Sequence, residues 1–139
     1  MRISRYGGSP GAGLKPPTAS HTAWTPSILL SFGGSAGVEP FGGLLADNGK
    51  LYGTTEQGGT YGYGVVYELS PPAAVGNPWT EKVYSFGGGV GGDGALPLGD
   101  IVIESGSIYG VTGLGGSTGC GGSGCGAIFA IGVSVLQTP

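Results

Sequence analysis

Cys120 and Cys125 flank a Gly-Gly-Ser-Gly stretch and are the only two cysteines of the chain. Thiols so spaced can close a disulfide, supply half of a metal site, or stay free. A structural zinc takes about four Cys or His ligands. The one histidine, His21, lies far upstream in a Pro-rich leader, where it reads as a solvated loop residue. The spacing also differs from the Cys-x-x-Cys of redox-active pairs. The pair therefore reads as a disulfide stapling a Gly-rich loop ahead of residues 127–131, with free thiols as the alternative. Closing so small a loop contributes on the order of 2 kcal/mol. A disulfide implies an oxidising compartment.

The carboxylates suggest turn chemistry more than catalysis. Asp93-Gly94 sits in a Gly-rich loop and Asp100 follows. Two carboxylates near a loop could hold calcium, but the EF-hand and nonapeptide patterns are absent, so turn formation is the expectation. Asp47-x-Gly49-x-x-Tyr52 is similar to the Asp-box turn of some propellers, with Tyr in place of Trp, and Glu104-x-Gly106-x-x-Tyr109 repeats it weakly. In such a turn the carboxylate is expected to fold back onto turn amides. The runs 87–89 and 113–116 open no helix, so they do not read as phosphate cradles. No base stands beside a nucleophile. No catalytic residue, cofactor or metal is expected.

Aromatic residues offer binding instead. Tyr61 and Tyr63 sit in the loop Gly-Gly-Thr-Tyr-Gly-Tyr-Gly, where exposure is expected. Exposed rings beside small polar residues suit contact with a glycan or protein, because they give area at little entropic cost. The strand-borne Tyr52, Tyr67, Tyr84 and Tyr109 are expected to pack between sheets.

These residues are positioned by a sequence that repeats itself. Ser31-Phe32-Gly33-Gly34 returns as Ser85-Phe86-Gly87-Gly88, and Pro40 as Pro97. Leu51-Tyr52-Gly53-Thr54-Thr55 returns as Ile108-Tyr109-Gly110-Val111-Thr112, and Gly58-Gly59 as Gly115-Gly116. Gly64-Val65-Val66-Tyr67 returns as Gly126-Ala127-Ile128-Phe129. A period of roughly 55 residues with several apolar runs per unit marks a repeat architecture. The divisions that follow are residues 1–23 as a degraded repeat end or flexible leader, unit 1 at 24–78, unit 2 at 79–132 and a tail at 133–139. Trp24-Thr25 and Trp79-Thr80 keep the same register before each Ser-Phe-Gly-Gly. Arrays of this kind need about three units or more to bury their faces, so the chain is expected to belong to a longer array or to self-associate.

Within a unit the apolar runs give four strands: 44–46, 50–54, 65–69 and 79–86. Asp47-Asn48-Gly49 is a hairpin signal, since Asn and Gly accept positive φ. Val65-Val66-Tyr67 is β-branched and aromatic, which suits a pleated surface. The density of glycine, 34 residues beside 10 prolines, penalises helix. The expected fold is all-β, with propeller-like blades of about four antiparallel strands: two clear units and a partial N-terminal one. A solenoid or a sandwich of two similar sheets are the alternatives; the period is too long for most β-helix coils.

The run from Leu51 to Leu69, followed by Trp79-Thr80-Glu81-Lys82-Val83-Tyr84-Ser85-Phe86, resembles the GloVer tandem-repeat family of bacteria. Its units carry an Asn-Leu-Tyr-Gly-Thr-Thr…Gly-Gly…Gly-Thr-Val-Phe core and a Tyr-Ser-Phe strand. The resemblance spans about residues 24–131, with two departures: Val111 replaces the first Thr, and Glu104-Ser105-Gly106 replaces Asp47-Asn48-Gly49. It implies a surface or secreted location, in agreement with a disulfide, and a β-propeller fold, without defining a ligand.

Composition narrows the partners. Five basic residues face eight acidic ones without a Lys/Arg cluster, which disfavours nucleic acid. No apolar run approaches the length of a membrane helix, about 18 residues. The first residues lack the apolar centre of a signal peptide, so the expected extracellular or cell-surface location is not announced by a leader. The functional expectation is a non-enzymatic repeat module of a secreted or cell-surface β-propeller-like protein, acting as an interaction scaffold for an unknown protein or glycan. The alternative is a small lectin-like carbohydrate binder that closes a propeller by self-association. A hydrolase-like propeller is disfavoured, because no acid/base cluster recurs in both units.

Overall fold

The computed structural model describes residues 26–88 and 92–139. The leader 1–23, His21 and the Trp24-Thr25 landmark lie outside the described residues. The fold is all-β. Among the described residues seven strands run β1 (Leu45–Asp47), β2 (Lys50–Thr55), β3 (Val65–Ser70), β4 (Thr80–Ser85), β5 (Ala95–Glu104), β6 (Ser107–Leu114) and β7 (Ala127–Gly132). They form two antiparallel sheets, β1-β2-β3-β4 and β5-β6-β7. Among the described residues they close neither a barrel nor a ring.

The two hairpins that start the sheets are built alike. Asn48 and Gly49 have φ of 47° and 78°; Ser105 and Gly106 have 50° and 79°. Two consecutive positive φ values are what a two-residue hairpin needs to match strand twist. The change from Asn48 to Ser105 thus leaves the turn intact, because Gly106 still supplies the second left-handed position. The first pairs Asp47 with Lys50, the second Glu104 with Ser107.

Beyond the turn the equivalence extends to hydrogen bonds. Thr55 Oγ1 donates to Gln57 O at 2.9 Å and accepts from Val65 N at 3.3 Å. Thr112 Oγ1 donates to Leu114 O at 2.9 Å and accepts from Ala127 N at 3.0 Å. The repeated threonine is therefore a buried clamp joining the second strand of each sheet to the third. The repeated Gly53 and Gly110 lie beneath aromatic rings: a Cβ there would stand 2.6 Å from Tyr67 Cζ and 2.5 Å from Phe129 Cζ respectively.

Each sheet presents two faces, since side chains alternate along a strand. Tyr52 and Val66 of the first sheet pack against Ile101, Ile108, Phe129 and Ile131 of the second, with Phe86 and Leu136 completing this buried cluster. On the other face of the first sheet, Val65, Tyr67, Leu69 and Val83 are covered by Leu30, Phe32, Leu51 and Trp79. β3 is accordingly buried at five consecutive positions, which explains its nearly unbroken apolar run.

Thr80–Ser85 completes the first sheet by pairing with β3, although its sequence opens the second unit. A sheet thus borrows its outer strand from the repeat that follows, and the second sheet has three strands among the described residues. The tail folds back: Val83 and Gln137 exchange backbone hydrogen bonds of 2.6 and 2.9 Å, which covers part of the outer edge of β4.

Candidate functional site

The Gly-rich loop between β2 and β3 carries Tyr61 and Tyr63. Its neck is held by Gly64 N donating to Gly58 O at 3.0 Å, and its flank by Thr60 N donating to Ser85 Oγ at 3.1 Å on β4. That anchorage leaves the Tyr61 ring 63% exposed and Tyr63 42% exposed. The expected exposure of both rings is observed. Only Tyr61 lines a cleft, of about 390 Å³, whose other walls include Thr60, Tyr84, Val135, Thr138 and Pro139. Tyr63 is directed elsewhere: its backbone O accepts from Leu96 N at 3.0 Å, and its ring lies over Gly88, in the space a Cβ there would occupy.

Tyr84 packs against the core, as expected of a strand-borne ring, and also forms part of the cleft wall. It is half-buried, its ring 5.5 Å edge-on to Phe86, and its hydroxyl donates to Asp93 Oδ2. Asp93 Oδ1 also accepts from Gly87 N at 2.9 Å. Burial, with the adjoining Asp93 carboxylate and nearby Tyr61, pushes the Tyr84 phenol up to about 12. It therefore stays a neutral donor at physiological pH. One signal could have found this pair: Tyr84 and Asp93 depart from the repeat, standing where unit 1 has Leu30 and Ala36.

Other candidates are spent on structure. Asp100 Oδ1 accepts from Gly43 N at 3.0 Å, tying β5 to the start of the first sheet. It is thus engaged away from Asp93, and no group of three or more metal-ligating side chains occurs among the described residues. Asp47 accepts from the side-chain amide of Asn48 at 2.9 Å; the hydrogen bond runs to its neighbour's side chain, not to the turn amides expected. Glu68 is almost fully buried yet well partnered. Lys50 Nζ donates to Oε1 at 2.8 Å, Ser70 Oγ to Oε1 at 3.1 Å and Tyr52 Oη to Oε2 at 3.0 Å. Burial opposes its ionisation, but these donors outweigh it and hold the carboxyl below the usual glutamate range.

Cys120 and Cys125 are joined in a disulfide, their Cα atoms 5.3 Å apart. Both are exposed, in the loop between β6 and β7. The pair is five residues apart in sequence, and unit 1 has no counterpart. Tyr109 differs from expectation: it does not pack between sheets but stands 38% exposed on the outer face of the second sheet. Its counterpart Tyr52 is buried because a sheet covers it.

The cleft offers one exposed ring, a neutral phenol and the hydroxyl-bearing side chains of Thr60, Ser85 and Thr138. That set can stack on an apolar ligand face and exchange hydrogen bonds at its margin; it holds no nucleophile with a base. No helix among the described residues is long and apolar enough to cross a membrane. Compared with protein-family models, curated proteins and solved structures, the chain gives no match.

Proposed function

We propose that the chain is a non-enzymatic repeat module of a secreted or cell-surface protein, built on propeller-like blades and serving as an interaction scaffold. The observation that carries this reading is the use of its polar side chains. Glu68, Asp93, Asp100, Thr55 and Thr112 are each engaged in hydrogen bonds that hold sheets, turns or loops together. The two units repeat their packing residues and no reactive constellation. Propeller-like blades fit the way a sheet takes its outer strand from the next repeat and stacks on the next sheet. A secreted location fits an exposed disulfide, since such bonds persist in oxidising compartments.

The Tyr61–Tyr84 cleft favours a second reading, a lectin-like binder, because an exposed ring beside hydroxyls suits a sugar. A glycan array separates the two. The scaffold reading expects no glycan to be retained through this cleft. It is overturned by a retained glycan whose binding is lost in Tyr61→Ala and preserved in Tyr63→Ala.

A further inference from the structure

The outer face of the second sheet is the repeat counterpart of a face that is already occupied elsewhere in the same molecule. Tyr52 and Val66 are 3% and 0% exposed, sealed by the second sheet. Their counterparts Tyr109 and Ile128 are 38% and 82% exposed. Val102, the counterpart of Leu45, is exposed as well. Cross-strand register gathers these side chains into one surface: Val102 faces Tyr109, which faces Ala130, and Leu98 faces Val111, which faces Ile128. Directly opposed pairs on one face of an antiparallel sheet touch, so this is a continuous apolar surface. The edge of β7 beyond β6 is likewise unpaired among the described residues, whereas its counterpart β3 carries β4.

The complementary half is also present. In the occupied interface, Tyr84 and Phe86 close over Ile101, Ile108, Phe129 and Ile131. At the start of the described chain, Leu30 and Phe32 close in the same way over Leu51, Tyr67 and Leu69. The ring pairs superpose in kind: Phe32–Tyr67 and Phe86–Phe129 both have centroids 5.1 Å apart, at 60° and 68°. Segment 26–32 therefore stands to the first sheet as the end of β4 stands to the second, but no described sheet lies on its far side. Leu44, the counterpart of the buried Ile101, is left 61% exposed there.

We propose that a second copy of this chain docks head to tail on the outer face of the second sheet. Its segment 26–32 lies along the edge of β7, and its exposed Leu44, beside the half-buried Leu30 and Phe32, covers Ile128, Tyr109 and Val102. The occupant is a second copy because this chain carries both the socket and the plug, and its own internal interface shows how they fit. The contact is heterologous, so repetition closes a ring or extends a filament. The inference rests on the scaffold reading and names the partner. A second copy also satisfies the backbone of the open β7 edge, which native sheets otherwise protect.

Complementation tests it. Light scattering after size-exclusion chromatography is run on the whole chain, on Ile128→Glu (socket), on Leu44→Glu (plug) and on Val75→Glu, an exposed loop control. Wild type and Val75→Glu are expected at a multiple of the chain mass. Each of Ile128→Glu and Leu44→Glu alone is expected to lose assembly and elute as a monomer. An equimolar mixture of those two is expected to recover a dimer, one intact socket meeting one intact plug. The side chains are exposed in the single chain, so circular dichroism should be unchanged. A monomeric wild type overturns the proposal, and so does a mixture that stays monomeric. The glycan array judges the scaffold reading separately, because it does not depend on mass.

Discussion

Phe86 meets Phe129 edge-on, with ring centroids 5.1 Å apart, and so joins the residue after the last strand of one sheet to the last strand of the other. Phe86 is fully buried. Truncating a buried Phe removes its transfer energy and leaves a cavity, at about 3–5 kcal/mol. Phe86→Ala is therefore expected to lower unfolding free energy by about that amount in urea titration. Phe32→Ala, at the equivalent but half-buried position, is expected to cost clearly less. Equal losses would mean that the two ring pairs are not graded by burial as described.

Glu68 is the buried charge on which three donors converge. Glu68→Gln keeps the shape and removes the charge, while Lys50, 37% exposed at its side chain, can rehydrate. The expected cost is about 1–3 kcal/mol at neutral pH. The sign of the pH dependence follows from its lowered pKa. The stabilisation is present above the unfolded glutamate value, about 4.3, and is lost as pH falls through the lower folded value. Denaturation series from neutral to acidic pH should show the wild type and Glu68→Gln curves converging as acid is added. Parallel curves would remove Glu68 from the acid response.

Much of the fold was legible because the repeated residues are structural. The strands read at 44–46, 50–54 and 65–69 match β1, β2 and β3 within a residue or so, since turn glycines and β-branched runs act locally. The exposure of Tyr61 and Tyr63 was legible for the same reason. What the sequence hid is relational. Tyr52 and Tyr109 sit in equivalent motifs, yet one is buried and the other exposed, because burial depends on which sheet has a neighbour. Tyr84 packs against the core as expected of a strand-borne ring, but its place in a cleft beside Tyr61 and the tail, and its bond to Asp93, are relations that local pattern does not give. The pairing of the cysteines needed only their short spacing.

Gly53 and Gly110 test whether the repeat is maintained by packing. A methyl group at either position intrudes on a ring held in the core, Tyr67 or Phe129, and at Gly110 also meets Ile101 Cγ2 at 3.1 Å. Overpacking of this kind costs about 1–3 kcal/mol. Gly53→Ala and Gly110→Ala are each expected to destabilise in that range, with Gly110→Ala the worse. Gly62→Ala, where a Cβ meets nothing, controls for open space, although its φ of 84° adds some strain of its own. A neutral Gly110→Ala in thermal melts would show that the ring yields.

The disulfide makes a separable contribution. Cys120 and Cys125 are exposed, so reductant reaches them without unfolding the sheets. The closed loop is small, and chain-entropy arguments assign it about 2 kcal/mol. Cys120→Ser with Cys125→Ser, or reductant on the wild type, is expected to lower stability by about that much. The loss should concentrate in hydrogen-exchange protection of the β6–β7 hairpin. A global loss far above 2 kcal/mol would mean the loop organises more than its own hairpin.

Alkali should unfold the protein through its tyrosines. Tyr52, Tyr67 and Tyr84 all have phenols raised from the usual value, first by burial and then by neighbouring carboxylates: Glu68 and Asp47, Glu81, and Asp93 respectively. An unfolded tyrosine ionises at about 10. A raised folded value means that the native state holds its proton where the unfolded state has lost it. The stabilisation is thus fully present below about pH 10 and is lost as pH rises through the folded values, about 12 for Tyr84. Denaturant midpoints should fall steeply above pH 10, and the fall should shrink in Tyr84→Phe, which has no proton to lose. An absorbance titration of phenolate in the native protein should show Tyr52, Tyr67 and Tyr84 holding their protons above the usual phenol range. If the phenolate signal is complete at about pH 10 while the sheets stay folded, the burial assigned to Tyr52, Tyr67 and Tyr84 does not hold in solution.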